Sequence, residues 1–231
     1  MRYRAEHEFL PGAVDSVPPV PVGWTLQRLK TVATYRVSSV DKVPSDDEQP
    51  VRLCNYTDVY YNEIVHPGLE LMQTTATPEE IRRFHLQVED VLITKDSESW
   101  SDIAKPALVV ETADDFVCGY HLAIVRPNPA ALTGRFLLRL FQSSAVNQQF
   151  QSAATGVTRY GLPKSAIGEA WIPLPPMAEQ RAITDFLDDR LATIDRINAA
   201  LGTHVPILHE YRTAVITAAV TGRIDVRGAA P

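Results

Sequence analysis

The chain has 231 residues, 45% of them hydrophobic, enough to bury a sizeable core and to build one large domain with an appendage. Its two cysteines, Cys54 and Cys118, are too few for a disulfide framework, and a net charge of -6 counts against any broad grip on nucleic acid, because lysine and arginine supply the phosphate contacts. The opening Met1-Arg-Tyr-Arg-Ala-Glu-His lacks the apolar centre of a signal peptide, and no stretch reaches the roughly 18 apolar residues of a membrane span, so a cytoplasmic protein without membrane contact is expected.

Residues 1–20 run through scattered charges into Val17-Pro-Pro-Val-Pro and read as an extended N-terminal arm. From Trp24 a short packed element is expected, then a polar loop from Lys42 to Pro50. Val51-Arg-Leu-Cys-Asn-Tyr alternates like a half-buried strand. Thr77-Pro-Glu-Glu predicts a helix start, with a capping threonine, proline at the first helical position and acids in the first turn. Three β-rich runs follow, at Asp90–Lys95, Ala107–Glu111 and Cys118–Pro127, and then two helical segments from Phe136 and Ser144. Residues 21–176 therefore predict a mixed α/β domain within an α+β fold class.

Residues 177–222 differ. Leu187, Ile194, Leu201, Leu208 and Val215 recur every seven residues; Ile183, Ile197 and Tyr211 fall at the second apolar position of the heptad, and Leu191 and Val205 widen the stripe. This is a helical spacer with a coiled-coil-like seam suited to dimerisation, or else two helices folded onto the chain's own domain. Arg190 and His204 interrupt the seam, and Pro206, lacking an N–H, predicts a kink or a break. Gly222 predicts the helix stop, leaving 223–231 as a C-terminal tail.

No catalytic constellation emerges. The proline pairs at Val17-Pro-Pro-Val and Leu174-Pro-Pro-Met are not the Asn/Asp-Pro-Pro-aromatic pocket of an amino-methyltransferase. Ile93 stands where a nuclease would need an acid before Lys95, and the phosphate-cradling Gly-x-x-x-x-Gly-Lys pattern is missing. Cys118 and His121 lack a second ligand pair, so they read as a packed thiol and a separately satisfied imidazole, and no metal site is expected.

Three segments carry side chains of the kinds that can contact DNA, and they are the candidate binding residues. Lys95, Ser97, Glu98, Ser99 and Trp100 follow a strand and combine a cation, hydroxyls and a carboxylate able to contact phosphate or accept from cytosine. Thr158, Arg159, Tyr160 and Lys164 lie among glycines, where arginine can bind guanine bidentately and backbone can approach a ligand. Asn55 and Tyr60 belong to a third cluster, Asn55–Asn62, in which Tyr56 reads as a structural tyrosine at a strand end. Solvated loops and a surface turn are the competing readings of the first two segments.

The combination of Gly23-Trp24, Arg52-Leu-Cys-Asn-Tyr-Thr-Asp-Val-Tyr-Tyr61, Gln87 through Trp100, Cys118-Gly-Tyr-His, Ala154 through Gly161 and above all Ile172-Pro-Leu-Pro-Pro-Met-Ala-Glu-Gln-Arg181 resembles the specificity subunit of Type I restriction-modification systems. The resemblance implies a non-catalytic chain that recognises double-stranded DNA and works with methyltransferase (M) and restriction (R) subunits. It also implies that S-adenosylmethionine belongs to the M subunit, with no cofactor in this chain. Members of that family usually carry two recognition domains separated by paired helices; one domain and one helical region here suggest a half-size form that self-associates and reads one half of a bipartite target. A truncated subunit that pairs with other subunits without reading DNA is the alternative.

Overall fold

Alternation within the strands explains the architecture. In the computed structural model, which describes residues 9–10, 19–41 and 43–225, a central sheet buries both faces. Most of the expected arm, Lys42 at the start of the polar loop, and the last residues of the tail lie outside the described residues.

A short antiparallel pair joins β1 (Phe9–Leu10) to β2 (Val20–Pro21). β3 (Thr25–Arg28) and a single 3-10 turn (Leu29–Thr31) form the packed element expected after Trp24. Then come β4 (Ala33–Val37), β5 (Gln49–Cys54), α1 (Tyr56–Tyr61), β6 (Ile64–Val65), β7 (Met72–Ala76) and α2 (Pro78–Phe84). The Thr77 hydroxyl accepts from the Glu80 N–H and the Glu80 carboxylate accepts from the Thr77 N–H, a capping box built on the capping threonine that the sequence predicts. β8 (Val91–Thr94), β9 (Asp96–Ser97), a 3-10 turn (Trp100–Asp102), β10 (Pro106–Val109), β11 (Phe116–Cys118) and β12 (Leu122–Pro127) follow. The domain ends with α3 (Gly134–Gln142), α4 (Ser144–Ala153), β13 (Thr155–Gly156), β14 (Tyr160–Gly161), α5 (Lys164–Glu169) and β15 (Trp171–Leu174).

The central sheet has the order β4-β12-β8-β10-β6, and a second sheet the order β11-β5-β7. Val91 and Ile93 of β8, with Ala123 and Val125 of β12, pack with Phe136, Phe141 and Phe150 of the helices. Their alternate neighbours Leu92, Leu122 and Ile124 pack with Val51, Leu53 and Phe116 of the second sheet. Helices, sheet and sheet thus stack as three layers around two cores, which is why the central strands read as unbroken apolar runs. Asp90 is fully buried, and the Arg126 guanidinium grips both its carboxylate oxygens at 2.7 Å.

One expected strand divides in two. Cys118 ends β11 in the second sheet, opposite Cys54, and β12 starts at Leu122 in the central sheet. The chain turns between the sheets at His121, whose φ of 72° no strand accommodates. Cys118 is buried while His121 bonds to Asp96, so the thiol and the imidazole are separately occupied.

α6 (Met177–Val220) is helical over 44 residues with Pro206 inside it, so of the kink or break expected at Pro206 the break into two helices does not occur. Proline cannot donate to the Gly202 carbonyl, and the turns on either side carry the helix across. Gly222 has φ 70°; its N–H bonds to the Ala219 carbonyl and the Arg223 N–H to that of Ala218, the C-cap expected there. Contacts divide the chain into a unit up to Thr184 and another from Asp185. The first unit therefore includes the start of α6, where Gln180 is completely buried.

Candidate nucleic-acid interface

Two-residue strands organise the site. β9 pairs with β14, setting Ser97 opposite Tyr160 and Asp96 opposite Gly161, and β14 pairs in turn with β13. The segments around Ser97 and Arg159, far apart in sequence, are thus parts of one small sheet. Gly156 makes its hairpin possible: its φ is 149°, and a Cβ there would lie 2.0 Å from the Arg159 carbonyl oxygen.

α1 supplies the facing wall. Val59 faces the core, while Tyr56 and Tyr60, one helical turn apart, stack at 5.4 Å, and Tyr61 meets the edge of Tyr60 at 5.0 Å. Together the walls enclose a groove of about 810 Å³ lined by Tyr56, Thr57, Tyr60, Tyr61, Asp96, Ser97, Glu98, Ser99, Asp102, Thr158 and Arg159.

Electrostatics separate held charges from free ones. The Asp96 carboxylate accepts from Lys95 Nζ at 2.9 Å and from the His121 ring. Burial works to raise its pKa, but these two partners outweigh burial and hold the carboxyl below the usual range. The Tyr60 hydroxyl donates to Asp102, a bond that pushes the phenol up to about 12, and Asp102 also pairs with Lys105 at 3.2 Å. Burial pushes the Tyr56 phenol up, against an opposing hydrogen bond from Ser97. Glu98 and Arg159 are exposed, with no hydrogen bond or ion pair among the described residues.

All three segments singled out in the sequence meet here. Ser97, Glu98, Ser99, Thr158, Arg159 and Tyr60 line the groove. Tyr160 is half-buried against the core and anchors the hairpin instead. Lys95 is turned to Asp96; Asn55 is buried at the start of α1, where its N–H bonds to Asp58; Trp100 is exposed but does not line the groove; Lys164 begins α5. The sequence reading took Tyr56 for a structural tyrosine and missed it, with Thr57, Tyr61, Asp96 and Asp102, as a lining residue. The four-residue spacing of Tyr56 and Tyr60 was the available signal, since it marks one face of a helix rather than a strand end.

Along α6, Ile194, Ile197, Leu201, Leu208, Tyr211 and Val215 are all at least 40% exposed, and Leu187 and Leu191 are half-buried. Ile183, assigned to the seam by spacing, packs on the domain core instead, because it lies in the turn that Gln180 and Thr184 anchor. No helix among the described residues is long and apolar enough to cross a membrane.

Residues 21–202 match the family described as the Type I restriction modification DNA specificity domain. The chain is 26% identical over 220 residues to the Type I restriction enzyme EcoKI specificity subunit of Escherichia coli strain K12, covering 90% of this chain and 45% of that one. It therefore spans about half the length of the curated relatives it matches. Its fold is similar to a chain from a structure addressing complex assembly and conformational transition of the type I R-M system, with a TM-score of 0.66, 20% identity and coverage of 91% of this chain and 48% of that one. It is also similar to the HsdS subunit from Thermoanaerobacter tengcongensis, with a TM-score of 0.57, 20% identity and coverage of 83% and 42%. Specificity subunits are the non-catalytic members of these systems. With the family match extending over most of the domain and into α6, and with the α+β architecture shared, the chain belongs to the Type I restriction-modification specificity subunits.

Proposed function

We propose that this chain reads one half of a bipartite double-stranded DNA target through the groove between α1 and the β9–β14–β13 sheet. In this reading it docks methyltransferase subunits that carry S-adenosylmethionine, and the restriction subunit joins the complete complex. The convergence of three polar segments on one open groove supports it, because base edges are read by side chains held at fixed spacing on rigid elements.

The groove sets three carboxylates, Asp96, Glu98 and Asp102, against the single Arg159. Such a surface discriminates between base edges but contributes little phosphate neutralisation, so the methyltransferase subunits supply most of the non-specific affinity. One recognition domain, joined to a helix with exposed apolar residues at heptad spacing, suits self-association of two copies. A two-fold pair would present two identical domains in inverted orientation, and the target would be an interrupted palindrome.

Methylome sequencing of cells expressing the chain with its methyltransferase subunit tests this. The expected result is one bipartite motif that is lost when the chain is deleted. A methylation pattern independent of the chain would overturn the reading and leave a chain that pairs with other subunits without reading DNA.

A further inference from the structure

Among the four charged side chains lining the groove, two are held by partners within the chain: Asp96 by Lys95 and the His121 ring, and Asp102 by the Tyr60 hydroxyl and Lys105. The other two are Glu98 and Arg159. Ser97 and Tyr160 are opposite each other in the antiparallel register, so Glu98 and Arg159 occupy the next positions outward on the two chains. Opposite charges in that relation normally pair across the strands. Here both are exposed and form no ion pair with each other. A five-donor fork and an acceptor-only carboxylate therefore line the same groove, each without a partner among the described residues.

In the major groove a G·C pair shows two acceptors on guanine, N7 and O6, beside one donor, the cytosine N4 amino group. An A·T pair places its donor between two acceptors and adds a methyl group. The donor fork beside a carboxylate matches the G·C order and mismatches the A·T order. We propose that Arg159 and Glu98 read a single G·C base pair together, Arg159 on the guanine N7 and O6 and Glu98 on the cytosine amino group. This rests on the groove being the DNA-reading surface.

The test is methylome sequencing of cells carrying the wild-type chain, Arg159→Ala, Glu98→Ala, and the milder Arg159→Lys and Glu98→Gln. Both alanine variants should relax the motif at the same position, a G·C pair in the wild type, with discrimination there falling roughly ten- to hundredfold. Lysine keeps donors for N7 and O6 but loses the planar fork, so it should relax that position only in part, and glutamine, which keeps a carbonyl acceptor, should retain part of the cytosine preference. If an alanine variant loses all methylation, the milder variant of that residue decides the matter through the same position. Relaxation at two different positions, at an A·T pair, or at none overturns the shared reading while leaving the groove assignment intact. A wild-type chain that directs no motif would instead overturn the function on which the inference is built.

Discussion

Tyr160 faces Ser97 across the antiparallel pairing of β14 with β9, and that one register joins two loops that lie some sixty residues apart in the chain. Ser97 is buried and Tyr160 leans on the domain core, so the pairing ties the outer hairpin to the three-layer body. Whatever loosens this register should reach the groove before it reaches the fold.

Gly156→Ala is the sharpest way to loosen it. The added methyl would strike the Arg159 carbonyl oxygen, and alanine tolerates a φ of 149° poorly. The hairpin should rearrange at a cost of about 1–3 kcal/mol, confined to residues around 155–161. Hydrogen exchange should show the Gly161 amide losing protection while amides of β8 and β12 keep theirs. Equal loss in the central sheet would mean that the hairpin is part of the global cooperative unit.

Acid should act on the same place from the other side. Asp96 is held below its ordinary pKa by Lys95 and His121, so its contribution to stability is fully present above the normal aspartate range. It is lost as the pH falls through that depressed value and the carboxyl takes up a proton. Asp96→Asn should therefore weaken the hairpin at neutral pH and remove this step from the acid titration, as read by NMR shifts of the Ser97 and Gly161 amides. An unchanged titration in the variant would assign the step to another group.

How much of this the sequence disclosed depended on the range of each interaction. β8 and β12 were legible because burial on both faces leaves an apolar run that no other environment favours, and the Thr77 and Gly222 caps because their bonds span only a few residues. α1 was not legible. Six residues of tyrosine, threonine, aspartate and valine carry too few apolar positions to show helical period, and only Val59 reaches the core. β9, β13 and β14 are two residues each, and their existence depends on partners distant in the chain, which no local pattern reveals. For that reason Glu98 and Arg159 could be chosen as candidates separately, but their meeting in one groove could not be foreseen.

The Met177-Ala-Glu-Gln-Arg181 run shows the same limit, since the spacing marked a helix start and said nothing of the glutamine. Gln180 accepts from the Thr133 N–H at 3.1 Å and donates to the Ala131 carbonyl at 2.8 Å and the Pro175 carbonyl at 3.0 Å. It is the clasp that fixes the beginning of α6 beside the start of α3. Gln180→Ala would leave one buried and two partly buried backbone groups short of a partner, a loss of about 2–4 kcal/mol of domain stability in urea unfolding. Gln180→Glu keeps the acceptor for Thr133 but sets a carboxylate against two carbonyls, so it should destabilise at neutral pH and recover in mild acid as the carboxylate protonates. Variants as stable as the wild type would show that the clasp is dispensable.

The seam on α6 makes the opposite prediction, a loss of association without a loss of stability. Leu201 and Leu208 are 57% and 64% exposed, so replacing either with aspartate removes little from the fold of the chain itself. In a two-fold pair each substitution is felt twice. Removing two buried leucines forfeits about 3–6 kcal/mol, a rise in the dimer Kd of roughly a hundredfold or more. Sedimentation velocity at micromolar concentration should show the wild type as a dimer and Leu208→Asp as a monomer, with superimposable thermal unfolding of the α+β domain. Ile183→Asp provides the contrast: because Ile183 packs on the domain core, that change should lower the unfolding temperature. Were Leu208→Asp to remain dimeric while Ile183→Asp alone dissociated, the contact between copies would have to lie near the base of the helix and not along its heptad stripe.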